Sequence, residues 1–181
     1  MGLNRWCSPL RLWALKTGKI QDDPLSNFEA KEIGTELEEF VARKFERKTG
    51  IKLRRDFRTF QHHQYSYMVG HIDRLVLDGE SIFEAKTTSG WLAKRWEGEE
   101  IPVEHVLQLI WYLGLAHRTK GYIAVLIGGQ RFLWKEIAFD QELFDRQVVA
   151  ARVFMEEFVA KDIPPMAIAQ DDDTLALLFP E

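Results

Sequence analysis

Asp73, Glu84 and Lys86 are the residues of this chain whose types and spacing point most directly to chemistry, the metal-assisted cleavage of phosphodiesters. Residues 70–77 and 80–86 are two apolar-rich runs flanking Asp78-Gly79, the dipeptide that most strongly signals a β-hairpin. Strand side chains alternate faces, so Glu84 and Lys86 point the same way, while Asp73 shares its parity with Leu75 and Leu77. A carboxylate on such a face needs a partner. A tight turn brings residues 73 and 84 near corresponding ends of paired strands, close enough to share one cation. Hard divalent ions such as magnesium take carboxylate and carbonyl oxygens plus water, which Asp73, Glu84 and the Ala85 carbonyl could supply. Lys86 then lies over the same spot, where its ammonium could orient or help deprotonate the attacking water and offset charge building on a phosphate. The plainer reading of Glu84-Ala85-Lys86 is a solvated strand face carrying a weak surface ion pair.

Other elements must position these groups. Residues 102–118 have helical length, with Pro102 at a permissible early position, and Gln108 and Tyr112 share one face. Upstream, the stretch from Ser26 to Gly50 reads as a long helix, with Ser26 and Glu29 spaced as a capping box and Gly50 just past its end. Glu38 stands in it among the apolar residues Leu37, Phe40, Val41 and Phe45.

The Gly34-x-x-x-Glu38 segment, the Gly70-His71-Ile72-Asp73 run, Glu84-Ala85-Lys86, the Ile101-Pro102 lead-in and Gln108-x-x-x-Tyr112 together resemble the PD-(D/E)xK nuclease superfamily, in particular its lambda exonuclease and YqaJ-like phage recombinase nucleases. The resemblance runs from about Leu3 to Pro180. It implies that Asp73 and Glu84, with the Ala85 carbonyl, bind magnesium, for which manganese could substitute; that Lys86 serves the attacking water; that Glu38 binds or orients a metal ligand; and that Gln108 and Tyr112 support the site. It also implies an exonuclease on linear double-stranded DNA in phage recombination or repair, a homo-oligomer, possible rings around DNA, and a single-strand annealing protein as a possible partner. A nicking or structure-selective endonuclease of the same superfamily and a non-catalytic DNA-binding module are the alternatives. Members of the family usually carry a further helix ahead of the segment matching Gly2–Trp6, so the polarity of digestion does not carry over to this chain.

With 181 residues and 46% apolar content, the chain can bury one good core, expected as a nuclease domain over residues 1–161 followed by an acidic and apolar tail over 162–181. The single cysteine, Cys7, excludes an intrachain disulfide and any cysteine-built zinc or iron–sulfur site. No apolar run reaches about 18 residues, so no membrane span is expected and the cytoplasm is the expected location. The net charge of −4 is unevenly spread. Residues 140–181 hold ten acids and three bases, leaving 21 of the 24 basic and 18 of the 28 acidic residues in residues 1–139.

Eight basic residues (Arg43, Lys44, Arg47, Lys48, Lys52, Arg54, Arg55 and Arg58) fall within sixteen positions. They suit phosphate contacts, or else a solvated helix end whose cations favour the dipole. After the proposed catalytic strand, Trp91 and Trp96 are candidates to stack on bases, with Lys94 and Arg95 on phosphates; equally, one or both tryptophans could pack in the core. The five histidines show no paired metal-ligand spacing, and structural or supporting roles are expected for them, His71 being two residues from Asp73. Gly128-Gly129 is a hairpin turn without the Lys-Ser/Thr of a P-loop. The expected order is helix 9–17, helix 26–49, strands from about 51 to 86, a loop, helix 102–118, two strands and helix 141–160. This is an α/β fold, a mixed central β-sheet flanked by helices with a restriction-endonuclease-like core. The tail, with Asp171-Asp172-Asp173 before Leu175-Ala176-Leu177-Leu178-Phe179, reads as a frayed end or as a segment that docks on a neighbouring copy.

Overall fold

The Asp78-Gly79 turn organises the centre of the fold. In the computed structural model, which describes residues 7–22, 28–96 and 101–180, Asp78 Oδ1 accepts from the backbone N–H groups of Glu80 and Ser81, both at 2.9 Å, and Oδ2 accepts from the Ser81 hydroxyl at 2.6 Å. Gly79 takes the left-handed backbone (φ 80°) that this turn requires. The turn joins β4 (Arg74–Val76) to β5 (Ser81–Thr88) and fixes their antiparallel register, Arg74 opposite Phe83 and Leu75 opposite Ile82.

The chain divides into two compact units, Asn27–Phe144 and Met1–Ser26 with Asp145–Glu181. The first holds α2 (Phe28–Thr49), a five-stranded mixed sheet and α3 (Val103–Ala116). The sheet order is β1 (Leu53–Arg55), β4, β5, β6 (Lys120–Ile127) and β7 (Arg131–Ala138); β5 and β6 run parallel, and the other pairs are antiparallel. Parallel neighbours need a crossover, and α3 is part of the one joining β5 to β6. β2 (Phe60–Gln61) and β3 (Val69–Gly70) stand apart as a small hairpin rather than extending this sheet. A mixed sheet with helices is the expected architecture; the separate hairpin is the departure from it.

The two faces of the sheet have different tasks. Val76, Phe83, Ala85, Tyr122, Ala124 and Leu126 pack with Val41, Ala42 and Phe45 of α2. By alternation, Asp73, Leu75, Ile82, Glu84 and Lys86 belong to the opposite face. α3 ends where His117 adopts φ 51°, its N–H bonded to Gly114 and Leu113 carbonyls. The α2 register is consistent with the helix expected there, and Gly50 (φ 76°) stops it; the Ser26 half of the expected capping box lies outside the described residues.

The second unit is built on α1 (Pro9–Lys16), capped by Ser8, whose Oγ accepts from Arg11 N–H at 2.9 Å. Leu10, Trp13, Ala14 and Ile20 pack with Phe154, joined by Leu175 and Leu178. The helix expected over 141–160 is α4 (Gln141–Val153), continued as a π-helix over Phe154–Val159. The expectation of a frayed tail is corrected here. Asp171 is fully buried, accepts from the Ser8 hydroxyl and from Ile168 N–H (2.8 Å), and leads into α5 (Asp172–Leu178). Only part of its apolar run faces solvent, with Leu177 and Phe179 exposed. No helix among the described residues is long and apolar enough to cross a membrane.

Gly114 decides how closely α3 packs, because a Cβ there would lie 2.2 Å from the Phe144 ring. Gly114→Ala is therefore expected to cost about 1–3 kcal/mol through overpacking, measured as a lower urea midpoint at an unchanged m-value; no loss would contradict this packing.

Candidate functional site

β4 begins at Arg74, so Asp73 leaves the sheet opposite the middle of β5. There its Oδ2 accepts from Ala85 N–H at 2.7 Å, and its own N–H points to Glu84 Oε1 at 3.4 Å. Glu84 is 2% exposed, and its Oε2 accepts from Lys86 Nζ at 3.1 Å. Two carboxylates and one ammonium thus share one location, Glu84 buried and Asp73 and Lys86 half-buried. Burial pushes the Glu84 carboxyl up to about 8, with the neighbouring Asp73 charge adding to it and Lys86 opposing it. Asp73 is also raised by burial, against the Lys86 charge, the Ala85 N–H and Arg74. Lys86 loses basicity to burial, but the charges of Glu84 and Asp73 outweigh this and leave it above its ordinary range.

α3 covers this face. Gln108 Nε2 donates to the Tyr112 hydroxyl at 3.0 Å, and burial raises the phenol, which also feels Glu84, Lys86 and Asp73. Gly70 makes room for this ring, since a Cβ there would sit 2.7 Å from Tyr112 Cδ1. Glu38 approaches from the α2 side. Its Oε1 lies 3.1 Å from Arg74 Nη2, and its carboxyl is raised by burial first and by the Asp73 charge second. Arg74 is itself buried, and Glu39 Oε2 accepts from it at 3.0 Å and from Arg55 at 2.8 Å. The structure therefore brings Asp73, Glu84, Lys86, Gln108 and Tyr112 together, with Ala85 contributing backbone. Glu38 adjoins them through Arg74.

The expected nucleic-acid contacts divide. Arg54 and Lys94 are exposed, and Trp91 is 95% exposed. Arg55 is paired with Glu39, Arg58 with Asp56 at 2.9 Å from its Nε, and Arg95 with Glu104 at 2.7 Å. Trp96 corrects the expectation of base stacking. It is 4% exposed and stacks on His105, ring centroids 5.3 Å apart, because the 3-10 turn Gly90–Trp96 folds it inward.

His105, expected from the sequence only to have a structural or supporting role, is a further neighbour of Lys86. Burial pushes it down to about 4, and the positive charges of Lys86 and Arg95 act the same way. Its signal was the spacing 105, 108 and 112, one face of a helix.

The profile of the YqaJ-like viral recombinase domain matches residues 1–119. A relative from Bacillus subtilis (strain 168), the uncharacterized protein YqaJ, is 42% identical over 147 residues, which is 80% of this chain. The chain belongs to the YqaJ-like viral recombinase domain family. It spans about half (46%) of the length of that relative. Among solved structures, the YqaJ-like chain is similar in fold to an alkaline exonuclease from Laribacter hongkongensis, with TM-score 0.63 and 15% identity over 83% of this chain and 88% of that one. The same enzyme in complex with dAMP gives 0.65 and 18% over 84% and 77%. A phage-related exonuclease from Haemophilus somnus 129PT gives 0.56 and 14% over 90% and 100%.

The buried Glu84 proton has a measurable consequence for this YqaJ-like site. Between the ordinary carboxyl value of 4.5 and about 8, the folded chain holds a proton that the unfolded chain releases, so stability falls as pH rises through that window. His105 acts oppositely, but only between about 4 and its ordinary 6.5. The melting temperature of the metal-free chain is therefore expected to fall from pH 6.5 to 8, and Glu84→Gln to flatten that slope; a melting temperature that rises across this interval in the native chain would contradict the assignment.

Proposed function

We propose that this chain is a magnesium-dependent deoxyribonuclease that hydrolyses phosphodiesters at the ends of linear double-stranded DNA, with manganese as a possible substitute. The observation that carries the reading is the juxtaposition of half-buried Asp73 and buried Glu84, with Lys86 bonded to Glu84. One ammonium does not balance the Asp73 and Glu84 carboxylates with Glu38 close by, and a divalent cation would. Among the described residues no three His, Cys, Asp or Glu side chains form a ready-made metal cage. That suits magnesium, which draws on one or two carboxylates and completes its shell with water and substrate phosphate. Asp73, Glu84 and the Ala85 carbonyl would hold it. When bound, magnesium would polarise the scissile phosphate and make water a stronger nucleophile near neutral pH.

The protein groups divide the remaining work. Lys86, charged and half-buried, orients the attacking water and offsets negative charge gathering on the phosphate. Tyr112 keeps its proton and, with Gln108, braces the α3 side of the site. Glu84 must lose its proton before its oxygen can serve as a ligand, so activity rises with pH towards 8 and above. End-dependent cutting is supported by the likeness to solved exonucleases, one of them named as alkaline, and a setting in phage recombination by the family's description.

Digestion of end-labelled linear duplex and closed circular DNA tests this. Nucleotide release from linear DNA is expected with magnesium and not with EDTA. Lys86→Ala should lower the rate about a hundredfold or more while DNA binding is retained. Cutting of closed circles would replace the exonuclease with an endonuclease, and metal-independent cutting would remove the mechanism.

A further inference from the structure

Among the described residues the buried charged side chains are Arg74, Glu84 and Asp171. Glu84 belongs to the proposed cation site and Asp171 accepts from Ser8, which leaves Arg74, 4% exposed, without a task. A guanidinium is taken out of water only where carboxylates pair with it.

Arg74 opens β4, directly after Asp73 and opposite Arg55 of β1 and Phe83 of β5. Strand alternation sends its side chain to the α2 face, where its Nη2 lies 3.1 Å from Glu38 Oε1 and 3.0 Å from Glu39 Oε2. Consecutive positions of a helix point roughly 100° apart, so neighbouring glutamates do not meet at one nitrogen unless a third group gathers them. Arg74 is that group.

The two carboxylates are held unequally. Glu39 accepts from Arg55 Nη2 and from Arg43 Nε, each at 2.8 Å, as well as from Arg74, and these cations, Arg55 first, keep its carboxyl below the ordinary range. It is the fixed end of the arrangement. Glu38 meets Arg74 through one oxygen and feels the Asp73 charge, which repels it. With 27% of its side chain exposed, Glu38 has water to turn towards. Arg74 opposes that turn and keeps the Glu38 charge near Asp73.

We infer that Arg74 is a positioning residue of the cation site: anchored by Glu39, it holds the Glu38 carboxylate beside Asp73, where the Glu38 charge helps to draw a divalent cation to Asp73 and Glu84. The inference deepens the metal-dependent reading and rests on it. Arg74 acts through Glu38 and against its own charge, since a bare positive group at this place repels a cation. The two effects have opposite signs, and this separates them.

Magnesium is titrated calorimetrically at alkaline pH into the native full chain, Arg74→Met, Glu38→Gln and the double variant, with a metal-free melting curve for each. Positioning predicts about tenfold weaker binding in each single variant and no further loss in the double variant, because Arg74 then has no carboxylate to hold. A merely structural role would lower the melting temperature without this coupling. Should Arg74→Met not fold, Glu39→Gln releases the anchor from a partly exposed position; it is expected to weaken magnesium binding in the native background and not in Glu38→Gln. Tighter binding by Arg74→Met, the result for a guanidinium that acts only by its charge, would overturn the inference, as would losses that add in the double variant. Native magnesium binding with an unaffected Arg74→Met removes the inference alone, whereas a native chain that binds no magnesium removes the metal-dependent reading and the inference with it.

Discussion

The constraint on which the rest of the structure depends is the placing of a buried carboxylate, Glu84, beside a half-buried one, Asp73, at the point where β4 begins. A like-charged pair with one member out of water is costly, and a fold retains it only if the surroundings over-determine it. Here the Asp78 turn fixes the strand register, Ala85 N–H holds the Asp73 oxygen, and Lys86 neutralises part of the charge. The remaining imbalance appears as a proton retained on Glu84 to about pH 8. A site that stores a proton where a cation would fit is poised to exchange one for the other, and this would link the packing of the hairpin to the proposed metal-dependent chemistry.

The helices bear on that constraint from opposite faces. α3 approaches closely because glycines meet bulky rings and branched side chains, Gly70 under Tyr112, Gly114 under Phe144 and Gly121 under Leu109. That approach sets Tyr112 and His105 within electrostatic reach of Lys86 and limits water around it. On the other face α2 presents Glu38 and Glu39 to the buried Arg74, so the residue after Asp73 is held as firmly as the residue opposite it. Arg55 closes the same network on Glu39.

Much of this was legible in the sequence because local rules and the global fold agree. The Asp-Gly turn, the period-two alternation of 82, 84 and 86, and the helical spacing of Gln108 and Tyr112 depend only on nearby residues, and the structure places them accordingly. What was not legible depends on contacts distant in the chain. Trp91 and Trp96 belong to one short aromatic and basic stretch, and only the fold of the 3-10 turn exposes one and seats the other on His105. The ion pairs of Arg55, Arg58 and Arg95 with Glu39, Asp56 and Glu104 likewise depend on the fold rather than on the count of basic residues. The C-terminal segment read as loose because its acid run suggests solvent, whereas Asp171 reaches Ser8 near the other end of the chain and is buried there.

The central claim, that Asp73 and Glu84 form a cation site held closed by a proton, is tested most directly by titrating magnesium calorimetrically into the native chain at neutral and alkaline pH in buffers of different ionisation heat. The account predicts tighter binding at alkaline pH, proton release at neutral pH, and loss of both in Asp73→Asn and Glu84→Gln. Magnesium binding of equal strength in the native chain and both variants, or binding without proton release at neutral pH, would contradict it.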